Sequence, residues 1–280
     1  MKLRMAAAAG LVALVAASGD EAPLKFNWRA GQEFKHQVRV EGRVFQDGSP
    51  LQKLSYRGLW VRRITEVDSN GVARFEATAE NVQRNEGFWL YDFGGYGAGF
   101  ETAGRIKSTG QVINLDHARE GDPAYWSILV FPDQPVPIGG LWKYRPPAEQ
   151  MTQQLGLRAE GEVTYQLLDR VRYKSRTCLK ISRESRYQVG WDPSNEFKNV
   201  RIETRGTLWF DELVGNLVDA EIQEVYSAQL ARSGKEEPGE GEPPPEDGGP
   251  SPEFYSSSPG GDGKPHQISA KATITFTLTR

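Results

Sequence analysis

The sequence predicts a mainly β protein with long antiparallel strands in one or two strongly curved, half-barrel-like sheets and one or two short helices. Long segments alternate apolar and polar residues as strands do, and glycine-containing turns separate them. Helical periodicity is scarce by comparison. The content of 38% hydrophobic and 25% charged residues is ordinary for a globular chain, so a packed core is expected.

The first eighteen residues have the pattern of a secretory signal peptide. Lys2 and Arg4 precede an uncharged run of 13 residues, Met5 to Ala17, and small residues follow. This run is shorter than the ~20 residues that a membrane-spanning helix needs. Cleavage after Ala17 and cleavage after Ser18 fit equally well. The signal-peptide pattern predicts an exported protein, periplasmic or extracellular. Because no cysteine follows the leader as a lipid-attachment site, we expect this protein to be soluble after cleavage.

A first β unit is expected over 24–130. Its predicted strands are 33–45, 51–67, 72–82 and 103–114. The turn Asp68-Ser69-Asn70-Gly71 joins two alternating runs, and an Asn-Gly pair in that position is a strong hairpin signal. Residues 123–130 are a candidate short helix that ends before Pro132.

A second β unit is expected over 131–280, and residues 148–157 are a weaker helix candidate within it. Its predicted strands are 159–170, 175–189, 198–210, 216–229 and 267–279. Ser233 to Pro265 interrupts this unit with eight prolines, eight glycines and eight acidic residues, a composition typical of disorder. The strand that follows needs a partner, and 216–229 is the simplest one. The insertion is then a hairpin loop, either a solvated spacer or a tail for a basic partner.

The two units resemble each other, which suggests an internal duplication. Each begins with a glycine turn followed by an aromatic residue, at 31–34 and at 139–142. The first unit continues with a long hairpin at 54–82 and closes with a Gly-led hairpin at 104–115. The second continues with a long hairpin at 159–185 and closes with a Gly-led hairpin at 206–218. The alternative is that two meandering β segments align this loosely by chance.

Charge gives no electrostatic footprint for nucleic acid. The formal net charge is −3, but eight acidic residues and two lysines give the insertion −6 and the signal peptide carries +2. The remaining body has a net charge of +1, whereas a nucleic-acid-binding domain is usually clearly basic. The single cysteine, Cys178, lies in an alternating run, which favours a buried thiol over a reactive one and leaves no disulfide framework.

No sequence motif for a metal site, a cofactor or a catalytic centre is found. His36, His117 and His266 are dispersed: His36 is expected to be packed in a strand or at an edge, His117 to be a surface turn residue, and His266 to lie in the insertion. Neither a Gly-x-Ser-x-Gly elbow nor a phosphate loop occurs. Carboxylates that a hydrolase would recruit from separate strands are Asp92, Asp133, Asp211 and Glu212.

The segment 88–100 contains six aromatic residues and four glycines within thirteen residues. Rigid aromatic side chains supply contact area at low entropic cost, and glycines let a backbone adapt to a ligand. The candidate ligand-binding residues are Phe88, Trp89, Tyr91, Phe93, Tyr96 and Phe100. The alternative interpretation is that these side chains fold under the sheet as core.

Three segments together resemble those of bacterial exported β-rich proteins of unknown function. They are the Gly-x-x-Phe start at Gly31 to Phe34, the central Phe131-Pro-Asp-Gln-Pro-Val-Pro-Ile-Gly-Gly-Leu-Trp142, and the late Gly-x-Leu-x-Phe-Asp at Gly206 to Asp211. This resemblance implies a fold and brings no catalytic residues. A looser likeness in architecture links the chain to periplasmic lipoprotein carriers, whose curved sheet cups acyl chains, but fold alone does not define function.

Two functional hypotheses follow from the sequence. The first is an exported, non-enzymatic β-domain that binds a hydrophobic ligand or a partner in the cell envelope. The second is a cell-envelope hydrolase whose carboxylates come from separate strands, which requires two or more carboxylates with perturbed pKa values in one concave site.

Uptake of a hydrophobic fluorescent probe tests the role of the aromatic segment. If segment 88–100 contacts a ligand, replacing Trp89, Tyr91 and Phe93 by alanine lowers probe fluorescence relative to the wild-type protein. Equal and negligible uptake by both proteins would contradict a ligand role for this segment.

Overall fold

A computed structural model describes residues 24–85, 101–116, 128–147, 159–189, 197–230 and 265–279. The predicted signal peptide, the aromatic segment 88–100 and the helix candidate 148–157 lie outside the described residues. The same holds for the predicted insertion, apart from its last residue, Pro265.

The described chain forms one antiparallel sheet of eleven strands, in the order β5-β4-β3-β2-β1-β11-β10-β9-β8-β7-β6. The strands are β1 Glu33–Gln46, β2 Ser49–Val67, β3 Ala73–Arg84, β4 Glu101–Ile106, β5 Val112–Leu115, β6 Leu141–Tyr144, β7 Ala159–Tyr173, β8 Arg176–Val189, β9 Phe197–Asp211, β10 Asn216–Leu230 and β11 His266–Leu278. Strands account for 73% of the described residues, and the sheet is not closed, so β5 and β6 are its edges. The mainly β prediction is therefore confirmed.

Several local predictions change. The run 103–114 is not one strand but the hairpin β4–β5, which agrees with the Gly-led hairpin predicted at 104–115, and the short edge strand β6 was not predicted. The described residues contain no helix, and the described end of the first helix candidate, Ile128 to Val130, is not helical. His266 is the first residue of β11 and not part of the insertion. Within the described ranges, no helix is long and apolar enough to cross a membrane.

Two strand pairings predicted from the sequence, β2–β3 and β10–β11, are confirmed. In β2–β3, the carboxylate of Asp68 accepts hydrogen bonds from the backbone N–H groups of Asn70 and Val72, and Gly71 has φ of 75°. In β10–β11, the register runs from Asp219 opposite Thr277 to Leu230 opposite His266. The insertion therefore joins two paired strand ends, and lengthening such a loop adds closure entropy only slowly.

One face of the sheet is largely buried and most of the other faces solvent, because side chains alternate along each strand. On β11 the buried set is Ile268, Ala270, Ala272, Ile274 and Phe276. We call this side of the sheet the buried face. Registers place its residues in lateral rows across neighbouring strands, so residues that share a row are neighbours in space.

Two segments outside the strands pack against the buried face at one end. The N-terminal segment, 24–32, buries Leu24, Phe26 and Trp28, and the crossing segment, 128–140, buries Leu129 to Phe131 and Val136. Their aromatic rings surround Phe210 of β9, with ring centroids 5.2 Å from Phe26 and 4.8 Å from Phe131.

The crossing segment contacts both edges of the sheet. The backbone N–H of Phe131 donates to the carbonyl of Thr109, in the β4–β5 turn, at 2.8 Å. One residue earlier, the carbonyl of Val130 accepts a hydrogen bond from Trp142 Nε1 of β6 at 2.7 Å. The β4–β5 turn and β6, at opposite edges of the sheet, are thus hydrogen-bonded to the adjacent residues Phe131 and Val130.

The turns at 29–32 and 137–140 have the same geometry. Gln32 N donates to the carbonyl of Arg29, and Gly140 N donates to that of Pro137. The third residue of each turn is a glycine with positive φ, 81° at Gly31 and 85° at Gly139, as a type II turn requires.

These turns also bond to equivalent positions on the next long strand. Gly31 N donates to the carbonyl of Ile64, and Ile64 N donates back to Gln32. Gly139 N donates to the carbonyl of Leu167, and Leu167 N donates back to Gly140. In both β2 and β7 the register shifts just after that residue.

Gly215, in the β9–β10 turn, offers a stability test of this packing. Its φ is 68°, and an added Cβ would lie 2.4 Å from Asn27 Cβ and 2.5 Å from Asn27 N. We expect Gly215→Ala to lower the free energy of unfolding by about 2–4 kcal/mol, because left-handed strain and overpacking add.

Gly48→Ala is the matched control, since Gly48 has φ of 81° and open space around the Cβ position. It should cost only the conformational part, about 1 kcal/mol. Urea denaturation of both variants measures the difference, and equal losses would contradict close packing of the N-terminal segment on this turn.

Candidate functional site

The ligand-binding residues predicted from sequence, Phe88 to Phe100, all lie outside the described residues, as do His117 and Asp92. The candidate site is therefore built from side chains on the buried face. Its centre is a charged residue that the sequence analysis did not single out, Arg183 of β8.

Arg183 occupies an apolar position in the strand pattern. Along β8, Leu179, Ile181 and Tyr187 point to the buried face, and Arg183 follows the same alternation. It lies opposite Tyr165 of β7 on one side and Gly206 of β9 on the other. The residue is only 4% exposed, so its guanidinium group is withdrawn from solvent.

The guanidinium group has only uncharged partners among the described residues. Nη1 donates to Thr204 Oγ1 and lies 3.5 Å from Ser185 Oγ, and these two hydroxyls are 2.7 Å apart. Among the described residues, the buried Nε has no hydrogen-bond partner. Within the described residues, no carboxylate is close enough to Arg183 to form a salt bridge.

This arrangement is energetically costly for the protein alone. Removing a charged group from water without a counter-ion costs several kcal/mol, and an unsatisfied buried donor adds ~1–3 kcal/mol. Arginine keeps its charge and presents donors in a fixed fork that fits a carboxylate or phosphate. Arg183 is therefore suited to bind an anion on the buried face.

Tyrosines flank the arginine on the same face. Tyr165 lies opposite it, and the Tyr165 hydroxyl donates to the carbonyl of Ile128 at 3.2 Å. Burial is the largest effect that raises the pKa values of Tyr165, Tyr187 and Tyr226. These phenols therefore remain protonated at neutral pH, and they do not supply the missing negative charge.

Glu224 is the one buried carboxylate on this face among the described residues. It lies opposite Thr204 on β9 and opposite Ala272 on β11, and it has interaction partners of its own. The other buried carboxylates are Asp211, 3.0 Å from Arg176, and Asp219, which bonds Tyr173, Lys174 and Thr277. By strand alternation, both point away from the buried face.

The carboxylates proposed for a hydrolase do not converge in the described part of the structure. Asp211 pairs with Arg176, the next residue Glu212 pairs with Arg170 at 2.7 Å, and Asp133 is exposed. The described residues also contain no group of three or more His, Cys, Asp or Glu residues that could hold a metal ion.

The two remaining sequence candidates are packed side chains. His36 lies on the buried face of β1, with Nε2 3.1 Å from the carbonyl of Leu217, and burial lowers its pKa to about 4. Cys178 is fully buried in β8, and burial raises its pKa to about 11, so the thiol is protonated at neutral pH. The prediction of a buried cysteine is confirmed.

In comparison with known proteins, no protein-family model matches the sequence, and no curated protein matches it. The site therefore defines a class only by its geometry. It is an open antiparallel sheet with a buried arginine that has no carboxylate partner in the described part of the chain.

Replacing Arg183 by an apolar residue of similar length tests whether its charge is retained at a cost in stability. We expect Arg183→Met to leave the free energy of unfolding unchanged or to raise it by up to ~2 kcal/mol, because the charge no longer has to be desolvated. The hydroxyls of Ser185 and Thr204 still bond to each other.

Ile181→Ala is the control for packing on the same strand and face, since Ile181 is fully buried. It should cost about 2–4 kcal/mol through lost burial and the cavity it leaves. Chemical denaturation compares the two variants, and a loss for Arg183→Met as large as that for Ile181→Ala would assign Arg183 a structural role.

Proposed function

We propose that this protein is an exported, non-enzymatic β-domain that binds an amphipathic ligand on the buried face, with the ligand's acidic group at Arg183. One observation carries the proposal. A buried guanidinium group with an unpartnered Nε, and with hydroxyls as its only described partners, is set among apolar side chains. An acid attached to an apolar chain satisfies both the charge and the surroundings.

Curvature of the sheet is part of this proposal. The hydrogen bonds from the crossing segment to the β4–β5 turn and to β6 support it, because a flat sheet of eleven strands would hold its edges far apart. A curved sheet has a concave side, and concave apolar surfaces with a few polar groups are the usual form of ligand sites.

An internal duplication is also proposed. It is supported by the matching turns at 29–32 and 137–140, by their matching bonds to Ile64 and Leu167, and by strand order. Read along the sheet, β5 to β1 and β10 to β6 descend in the same direction, with β11 between them. Two copies of one meander produce this order without any rearrangement.

The predicted signal peptide suggests where binding takes place. An exported binder of acidic amphiphiles would act on lipids or fatty acids of the cell envelope, in keeping with the loose architectural likeness to lipoprotein carriers. The aromatic segment 88–100, between β3 and β4 in the chain, is proposed to contact the apolar part of the ligand.

Binding of dodecanoate, measured by isothermal titration calorimetry, tests the proposal. We expect Arg183→Gln to weaken dodecanoate binding roughly 10- to 100-fold, because a charge-assisted hydrogen bond contributes about 1.5–3 kcal/mol. Arg186→Gln, an exposed arginine on the same strand, should bind like the wild-type protein.

Dodecanol provides the ligand control, since it has the same chain without the negative charge. Its affinity should be the same for the wild-type protein and for Arg183→Gln. Absence of dodecanoate binding to the wild-type protein, or equal loss for both ligands in Arg183→Gln, would contradict the proposed role of the arginine.

A further inference from the structure

Each β unit has an arginine on the buried face in the row next to the residue that its turn bonds. The residues bonded by the matching turns, Ile64 and Leu167, lie opposite Phe75 and Ile181 respectively. Two residues earlier on the same face, β2 and β3 pair Arg62 with Ala77, and β7 and β8 pair Tyr165 with Arg183. The arginine belongs to the first strand of the pair in one unit and to the second strand in the other.

Arg62, which is half-buried, is also a cation that has no counter-ion among the described residues. Its guanidinium carbon lies 5.3 Å from the centroid of the Phe75 ring, which is fully buried. Within the described residues, no hydrogen bond or ion pair to its side chain is formed, although neighbouring Arg63 pairs with Glu33. Desolvation lowers the pKa of Arg62 to about 10, so the group is charged at neutral pH.

His36 reports on the same place. Register puts Phe34 opposite Arg62 and His36 opposite Trp60, so the imidazole lies one row away on the buried face. The groups that act on it are the Leu217 carbonyl, the Arg62 charge, which lowers its pKa, and the Asp219 carboxylate, which raises it. An anion at Arg62 would offset the effect of the arginine on the histidine.

We infer that Arg62 forms a second anion subsite, so that the buried face takes two acidic groups, one in each β unit. This inference rests on the proposed function, since it extends the same buried face from one acidic group to two. The ligand class is carboxylate or phosphate carried on an apolar chain, either as two singly charged molecules or as one molecule with two acidic groups.

The first test counts dodecanoate molecules by isothermal titration calorimetry. We expect two per wild-type protein, and one per protein in both Arg62→Gln and Arg183→Gln. Arg57→Gln is the matched control because Arg57 is an exposed residue of the same strand as Arg62, and it should retain two. Circular dichroism verifies that each variant is folded.

The second test follows the ring signals of His36 by NMR across a pH titration. Saturating dodecyl phosphate, which keeps a negative charge at the low pH where His36 titrates, should raise the pKa of His36 in the wild-type protein and in Arg183→Gln, and should leave it unchanged in Arg62→Gln. The wild-type titration alone is decisive even if a variant does not fold, since an unchanged His36 pKa overturns the subsite.

The outcomes separate this inference from the proposed function. One dodecanoate per protein, lost in Arg183→Gln and unaffected by Arg62→Gln, overturns the second subsite and leaves the proposed function in place. No binding to the wild-type protein overturns both. Dodecanedioate carries a carboxylate at each end. If one dodecanedioate molecule binds per protein, and both Arg62→Gln and Arg183→Gln weaken its binding, the two subsites serve one molecule.

Discussion

Strand β11 hydrogen-bonds to β1 along one side and to β10 along the other, and the rest of the sheet depends on this double pairing. On each side of β11 lies a five-stranded meander, β1 to β5 and β6 to β10, whose innermost strand would otherwise be an unpaired edge. β11 satisfies both edges and contributes Ile274 and Phe276 to the buried face. The C-terminal strand β11 therefore completes both meanders. Because β11 follows the insertion in the chain, β10 and β11 pair although the insertion separates them in sequence.

Local chemistry explains which parts of the fold could be predicted. The β2–β3 hairpin was readable because Asp68 and Gly71 fix the turn within a few residues, and β10–β11 because 267–279 alternates cleanly. The four-residue strand β6 was missed, since a strand this short has no detectable period. It forms because Trp142 is held by the carbonyl of Val130, a contact that no local pattern encodes.

The candidate site was missed for a related reason. Arg183 and Arg62 look like ordinary surface charges in a composition count, and only the phase of alternation places them on the apolar side of their strands. That signal was present, since Leu179, Ile181 and Tyr187 share the phase of Arg183. This alternation could not assign the face of each residue, because bulges such as those after Ile64 and Leu167 reverse the alternation and the sequence does not mark them.

Charge balance on the buried face gives the proposed site its selectivity. Two arginines face one buried carboxylate among the described residues, Glu224, and His36 is neutral at physiological pH because burial lowers its pKa to about 4. The tyrosines stay protonated for the same reason. At the proposed site an acidic head group would therefore enter a positive field, whereas an amine would meet like charge and a neutral head would leave Arg183 uncompensated.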